Sequence, residues 1–171
     1  RQPAVSLNIR HPGEQFTLRA ESDWPIPRTQ WTRYYLHPED RSLRTDAPTG
    51  ACTLDYQTAG DGIRFMTPPM PADTEFTGPV AARLWVSSDS TDADLFVVVG
   101  VYGPDGKEVT FIGSNDPRTP VGLGWLRASH RKLDPVESRP WRPIHTHDED
   151  QPLTPGVPVD RKSTRLNSSH V

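Results

Sequence analysis

The residue types best suited to chemistry stand together in the run His145-Thr146-His147-Asp148-Glu149-Asp150. On an extended chain His145 and His147 fall on one face, and three carboxylates follow at once. Imidazole nitrogens and carboxylate oxygens are ligands that zinc and other transition metals accept. A closed metal site also needs residues behind the ligands to orient them, which a proline-flanked loop supplies poorly. The expectation is therefore a polar loop with no metal and no cofactor. A second group, Arg127, His130, Arg131 and Lys132, could hold an anion, but charge runs of this kind are usually solvated, and a solvated strand end accounts for it.

A nucleophilic serine of the α/β-hydrolase kind needs Gly-x-Ser-x-Gly, because its hydroxyl must sit on a tight strand-to-helix turn. That pattern is absent. The nearest run, Gly113-Ser114-Asn115-Asp116, lacks the second Gly and a helix to follow it, and reads as a polar loop after a strand. Cys52 could pair with a distant His as a thiol nucleophile. It stands in a strand-like pattern, however, where a Cys usually serves as a small buried hydrophobe. No catalytic residue is expected in this chain.

The elements that must position these groups read as strands. The chain has 171 residues with 19 Pro and 12 Gly, a density of backbone punctuation that leaves little room for long helices. Val5, Leu7 and Ile9 alternate with polar residues at the period of a half-buried strand, which His11-Pro12-Gly13 breaks before Phe16–Leu18 resumes it. Asp23-Trp24-Pro25-Ile26-Pro27 is held extended by its two prolines. Trp31–Leu36 reads as an aromatic strand, and positions 37 to 50 as a connector. Cys52–Tyr56 and Ile63–Met66 read as strands flanking the turn Gly60-Asp61-Gly62.

Further on, Val80, Ala82, Leu84 and Val86 alternate with Ala81, Arg83 and Trp85. Leu95–Val101 is almost continuously apolar and reads as a central strand covered on both faces. Gly103-Pro104-Asp105-Gly106 is a turn, since Pro presets one φ and Gly accepts a positive one. Val109–Ile112 returns as its partner. Leu123–Ser129 is another strand, and 135 to 158 is extended and polar. The expected fold class is all-β, a β-sandwich or jelly roll. The apolar alternation stops after Val159, so the sandwich reads as unfinished.

Composition excludes several partners. A net charge of −3 with mixed signs offers no basic stripe for phosphates, so nucleic acid is not expected. No apolar run is long enough to span a membrane. A single Cys permits no intrachain disulfide, which fits a reducing compartment such as the cytoplasm. Hydrophobic residues make up 33%, low for a compact domain, yet five Trp, five Phe and four Tyr argue against disorder, so part of the core is expected to lie in other chain. The start at Arg1 rather than Met points to a segment upstream. The tail D-R-K-S-T-R-L-N-S-S-H resembles the translation of a sequencing adapter. Residues 160–171 are therefore expected to be an artefact outside the domain, and the Asn167-Ser168-Ser169 sequon within it is discounted.

Several longer runs carry a resemblance. Asp92-Ala93-Asp94-Leu95-Phe96-Val97-Val98, Pro104-Asp105-Gly106-Lys107, Gly124-Trp125-Leu126-Arg127-Ala128-Ser129-His130-Arg131 and Leu153-Thr154-Pro155-Gly156 resemble the C-terminal domain of the CocE/NonD hydrolases, relatives of Xaa-Pro dipeptidyl-peptidase and bacterial cocaine esterase. Glu21-Ser22-Asp23-Trp24-Pro25 and Arg28-Thr29-Gln30-Trp31-Thr32 resemble the junction leaving the hydrolase domain. The resemblance implies a jelly roll of the galactose-binding type, packed on an α/β-hydrolase domain that performs Ser-His-Asp hydrolysis of esters, amides or Xaa-Pro dipeptides. It implies that residues 1–27 end the hydrolase domain and that 28–159 form an incomplete jelly roll.

Under that resemblance no triad residue maps onto this chain, and Trp24, Trp31, Tyr34 and Tyr35 pack the seam between domains. The expected partner is the hydrolase domain of the same protein, in a parent that a homo-oligomer would also suit. The rival expectation is a carbohydrate-binding module. It predicts Trp85, Trp125 or Trp141 exposed on a common face, whereas burial of Trp85 and Trp125 would fit the accessory role.

Overall fold

The computed structural model describes residues 2–168, with side chains described through Asp160. These residues are essentially all-β. The one helical feature among them is a single 3-10 turn, Ala128–His130. The chain divides into two compact units, one running to Pro27 and resuming at Phe76, the other comprising Arg28–Glu75.

In the first unit, β1 (Val5–His11) and β2 (Gln15–Glu21) form an antiparallel hairpin in the register Val5↔Glu21 to His11↔Gln15. The turn holds Gly13 and Glu14 at φ of 82° and 58°. The left-handed region suits Gly and explains why the strand pattern breaks at Pro12-Gly13. The alternation of β1 does what its period predicts. Leu7 and Ile9 are buried with Ile26, and Val5 and Trp24 pack against them. Each such aliphatic side chain contributes about 1.5–3 kcal/mol by leaving water. The hairpin also meets later chain: the Glu14 carboxylate accepts a hydrogen bond from Ile112 N at 2.6 Å, and the Arg10 guanidinium lies 4.9 Å from the centroid of Phe111. Residues 1–27, which the resemblance assigns to the hydrolase domain, thus belong to the same compact unit as the strands below.

Those strands are β5 (Val80–Val86), β6 (Asp94–Val99), β7 (Val101–Tyr102), β8 (Glu108–Val109), β9 (Gly122–Arg127) and β10 (Val159–Ser168). Four make one antiparallel sheet in the order β5-β10-β9-β6. β7 and β8 form the hairpin foreseen at Gly103-Pro104-Asp105-Gly106, with Val101 opposite Val109 and Gly106 at φ 74°. Beneath it Val109, Phe111 and Val121 make a second small core.

One expectation about this sheet differs from the structure. Leu95–Val101 is not a central strand. β6 ends at Val99 and has β9 as its one neighbour in the sheet, and Phe96 and Val98 on its outward face are 76% and 57% exposed. A continuous apolar run signals cover on both faces, and here the described residues half-cover one. Val159–Ser168 form β10. It pairs with β5 from Val159↔Val86 to Leu166↔Val80 and with β9 at Asn167↔Leu123, with a register shift between Lys162 and Arg165. Backbone pairing asks little of side-chain type, and the facing edges of β5 and β9 offer unpaired amides and carbonyls that an extended segment satisfies.

In the second unit, β3 (Tyr35–His37) pairs with β4 (Ser42–Arg44). The predicted strand Trp31–Leu36 shrinks to its last residues, and Cys52–Tyr56 and Ile63–Met66 form no ladder. Met66 alone bridges to the β4 region, its amide donating to Arg41 O at 3.0 Å while its carbonyl accepts from Leu43 N at 2.8 Å. Cys52 is exposed, not the buried hydrophobe expected, because no strand forms around it. His37, 3% exposed, ties the unit together: its ring nitrogens lie 3.0 Å from Glu39 Oε1 and 2.9 Å from the Asp46 carbonyl.

Candidate functional site

The chemistry-bearing residues collect where β9 ends in the 3-10 turn. Asp92 organises the place. Its Oδ1 accepts from Ala93 N at 2.9 Å and Ser129 N at 2.8 Å, and its Oδ2 accepts from Ser129 Oγ at 2.7 Å. Burial alone would raise the Asp92 carboxyl, but the bonds from the Ser129 hydroxyl, Ser129 N and Ala93 N outweigh it and hold it below the usual range. Beside it Asp94 and Arg127, directly opposite in the β6–β9 register, form a two-bond pair at 2.9 and 3.1 Å. The Asp94 bond holds the guanidinium charged, and the same bond lowers the Asp94 carboxyl.

A strap of chain folds back over this corner. Gln151 N donates to Ser129 O at 2.8 Å, Leu153 N to Thr91 O at 2.7 Å and Gly156 N to Ser88 O at 2.8 Å. Leu153 is buried, and Arg131 reaches the carbonyls of Ala128 and Gln151. The group Arg127, His130, Arg131 and Lys132, read as a solvated strand end, is thus a set of side chains that each reach a partner within the chain.

The histidine run lies on the same strap. Lys132 Nζ sits 2.9 Å from Asp148 and 3.5 Å from Glu149, and Asp148 also accepts from Thr146 Oγ1. His147, with φ 52°, places its Nδ1 3.4 Å from Nδ1 of His130, whose Nε2 pairs with Asp150 at 2.9 Å. His145 lies inside, its ring nitrogens buried without a hydrogen bond. Burial first, and His147 next, lower its pKa, so it is held neutral. The ring centroids of His145 and His147 are 6.0 Å apart at a tilt of 53°. Among the described residues no group of three or more His, Cys, Asp or Glu is arranged to hold a metal ion.

The other candidates lie apart. Gly113-Ser114-Asn115-Asp116 is a turn closed by Gly113 N to Asp116 O at 2.8 Å, with no helix after it. A Cβ at Gly113 would meet Thr119 Oγ1 at 2.4 Å, so this glycine serves close packing and not a nucleophile. Trp24 packs on the β1 core, while Trp31, Tyr34 and Tyr35 belong to the second unit, with Trp31 55% exposed. What sequence reasoning missed is the part played by Asp92, whereas the exposed Trp face that the rival expectation asked for lies on the outward side of the four-stranded sheet. Trp85 and Trp125 are 67% and 65% exposed there, together with Phe96 and Val98.

The corner is a set of capped turns joined through Asp92 and Ser129. Residues 1–170 match the family described as the X-Pro dipeptidyl-peptidase C-terminal non-catalytic domain. The chain belongs to that family. As a member of the X-Pro dipeptidyl-peptidase C-terminal domain family, it is similar to crystal structures of a CocE/NonD family hydrolase from Staphylococcus aureus, at 28% and 29% identity and a TM-score of 0.91. The match covers 99% of this chain and 31% of the solved one. It is also 29% identical to provisionally named serine esterases of Mycobacterium bovis and Mycobacterium tuberculosis, over 89% of its own length and 29% of theirs. The chain thus spans about a third of the length of its relatives, and the family match takes in both the β1–β2 hairpin and β10. No helix among the described residues is long and apolar enough to cross a membrane.

Proposed function

We propose that this chain is the accessory C-terminal domain of a serine hydrolase of the CocE/NonD kind, a jelly-roll sandwich of the galactose-binding type that braces the hydrolase domain and shapes the rim of its substrate cleft. The parent activity would be hydrolysis of esters or of Xaa-Pro dipeptides. The observation that carries this reading is the match of nearly the whole chain to about a third of a CocE/NonD hydrolase at a TM-score of 0.91. Its chemistry would come from an oxyanion hole and triad in the other part of the protein. In such an assembly Trp24, Trp31, Tyr34 and Tyr35 would pack the seam, since large aromatic rings dominate the burial at such joints.

The test is direct. The uninterrupted upstream reading frame should contain Gly-x-Ser-x-Gly, and residues 1–171 alone should release no p-nitrophenol from its esters above a buffer blank. Turnover by the pure chain, abolished by one substitution within it, would overturn the reading.

A second reading has one observation in its favour. Trp85 and Trp125 are exposed on a common face, as a carbohydrate-binding module requires. Against a single stacking site stands their spacing, roughly 16 Å from the pairing registers and strand geometry, wider than one sugar ring. Protection of Trp fluorescence by an oligosaccharide would favour this reading.

A further inference from the structure

Three histidines meet where the strap crosses the 3-10 turn, and few placements are open to their protons. His130 Nε2 lies 2.9 Å from Asp150 Oδ1. A carboxylate near neutral pH only accepts, so this nitrogen carries a proton, and Nδ1 of a neutral His130 is a lone pair. Nδ1 of His147 lies 3.4 Å from that lone pair. One hydrogen fits between two nitrogens so placed, donated by His147 or, in its imidazolium form, by His130. Two hydrogens would face each other, on rings that both carry charge. Beside them His145 has both ring nitrogens buried without a hydrogen bond, so a proton added there meets no acceptor.

The charges around the three rings are already engaged. On the strap, Asp148 accepts from Lys132 and Thr146, Glu149 accepts from Gln151 at 2.7 Å and lies 3.5 Å from Lys132, and Asp150 holds His130. Arg131 binds the carbonyls of Ala128 and Gln151. On the sheet side Asp94 pairs with Arg127 and Asp92 with Ser129, while Asp134 accepts from the amides of Val136 and Glu137. The carboxylates favour a first proton on the His130–His147 pair. A second is accommodated by His147 swinging outward, away from His130. Its backbone stands at φ 52°, a left-handed conformation that a non-glycine residue adopts at a cost, so the swing also relieves the chain.

We propose that residues 144–147 are an acid-opened latch, closed on the 3-10 turn by one proton shared between His130 and His147 and released by further protons on His147 and His145. Burial first, and His147 next, hold His145 below its ordinary value of 6.5. The closed form is therefore fully favoured above 6.5 and loses ground as pH falls from there through the folded value. The far half of the strap stays down, because Gln151 N to Ser129 O, Leu153 N to Thr91 O and Gly156 N to Ser88 O are backbone bonds that do not titrate.

The experiment is amide hydrogen exchange of residues 1–171 at pH 7 and pH 5, corrected for intrinsic rates. The reporters are the Thr146 amide, which donates to Lys132 O, and the Asp134 amide, which donates to Ile144 O; the Ala128 amide, bonded to Ala93 O on the same corner, is the control. Each linked proton changes an opening equilibrium by up to about tenfold per pH unit. Protection at Thr146 and Asp134 should thus fall about tenfold or more at pH 5, with Ala128 unchanged. In His145→Phe with His147→Gln, which offers an amide to His130 and does not titrate, the fall should shrink to about twofold or less. His147→Gln alone, at an exposed position, carries the test if the buried substitution unfolds the chain, and its fall should be at least about threefold smaller than that of the unchanged chain. Equal protection at both pH values overturns the proposal. The same fall in the variants also overturns it, in favour of the carboxylates, as does a parallel fall at Ala128, which is general unfolding. A neutral His130 with its proton on Nδ1, read from nitrogen-15 shifts at pH 7, overturns it as well.

Discussion

Replacing Asp92 tests the corner that holds the strap to the sheet. In Asp92→Ala, Ser129 N and Ser129 Oγ lose their acceptor, and Ser129 is only 5% exposed. A buried donor left unsatisfied costs about 1–3 kcal/mol. Counting the two Ser129 donors alone sets the scale at roughly 2–6 kcal/mol. For a chain of this size about 2–4 °C of Tm goes with each kcal/mol, so Tm should fall by about 4–24 °C. Asp92→Asn keeps one oxygen and should lose about half as much. Ser129→Ala removes donor and demand together at one bond and should be the mildest of the three.

The assay is thermal unfolding by circular dichroism between pH 3 and pH 7. Because the Asp92 carboxyl is depressed in the fold, its contribution is present above the ordinary value of 3.8 and is lost as pH falls through the lower folded value. The Asn variant should lack that part of the acid slope. All three variants melting within about 2 °C of the unchanged chain would refute the reasoning.

Two further expectations concern the second unit and the tail. Both nitrogens of buried His37 face acceptors, the Asp46 carbonyl foremost and then the Glu39 carboxylate, so its pKa is raised; its stabilisation is complete below 6.5 and fades as pH rises through the folded value, and a nuclear magnetic resonance titration midpoint at or below the ordinary value would contradict this. Truncation after Val159 removes the strand between β5 and β9, so the shortened chain should lose cooperative melting and bind a hydrophobic dye; an unchanged Tm would return residues 160–171 to the status of an appendage.

Much of the strand content was legible because its signals are local. The period of Val5–Ile9, the alternation of Val80–Val86 and the Pro-Asp-Gly turn at 104–106 each depend on a few adjacent residues, and each stands in the structure as read. The second unit was misread for the converse reason. Cys52–Tyr56 and Ile63–Met66 have strand-like composition, but a strand exists only where a partner completes its ladder, and composition does not name partners. Leu95–Val99 shows the same limit, since a continuous apolar run says that two covers exist and not which chain supplies them. At the corner, the individual groups were visible as a charge run and a histidine run. Their joining through Asp92, 37 residues before Ser129 in sequence, was not, because a lone Asp at a strand entrance gives no hint of a distant amide.

The central claim, that this chain contributes structure to a serine hydrolase and no nucleophile, is tested most directly by labelling with a fluorophosphonate that captures activated serines. In the full-length parent the account predicts a single labelled serine upstream of Arg1, within Gly-x-Ser-x-Gly, and no label on residues 1–171 whether alone or in the parent. A label on Ser114, or on any serine of this chain, would contradict it.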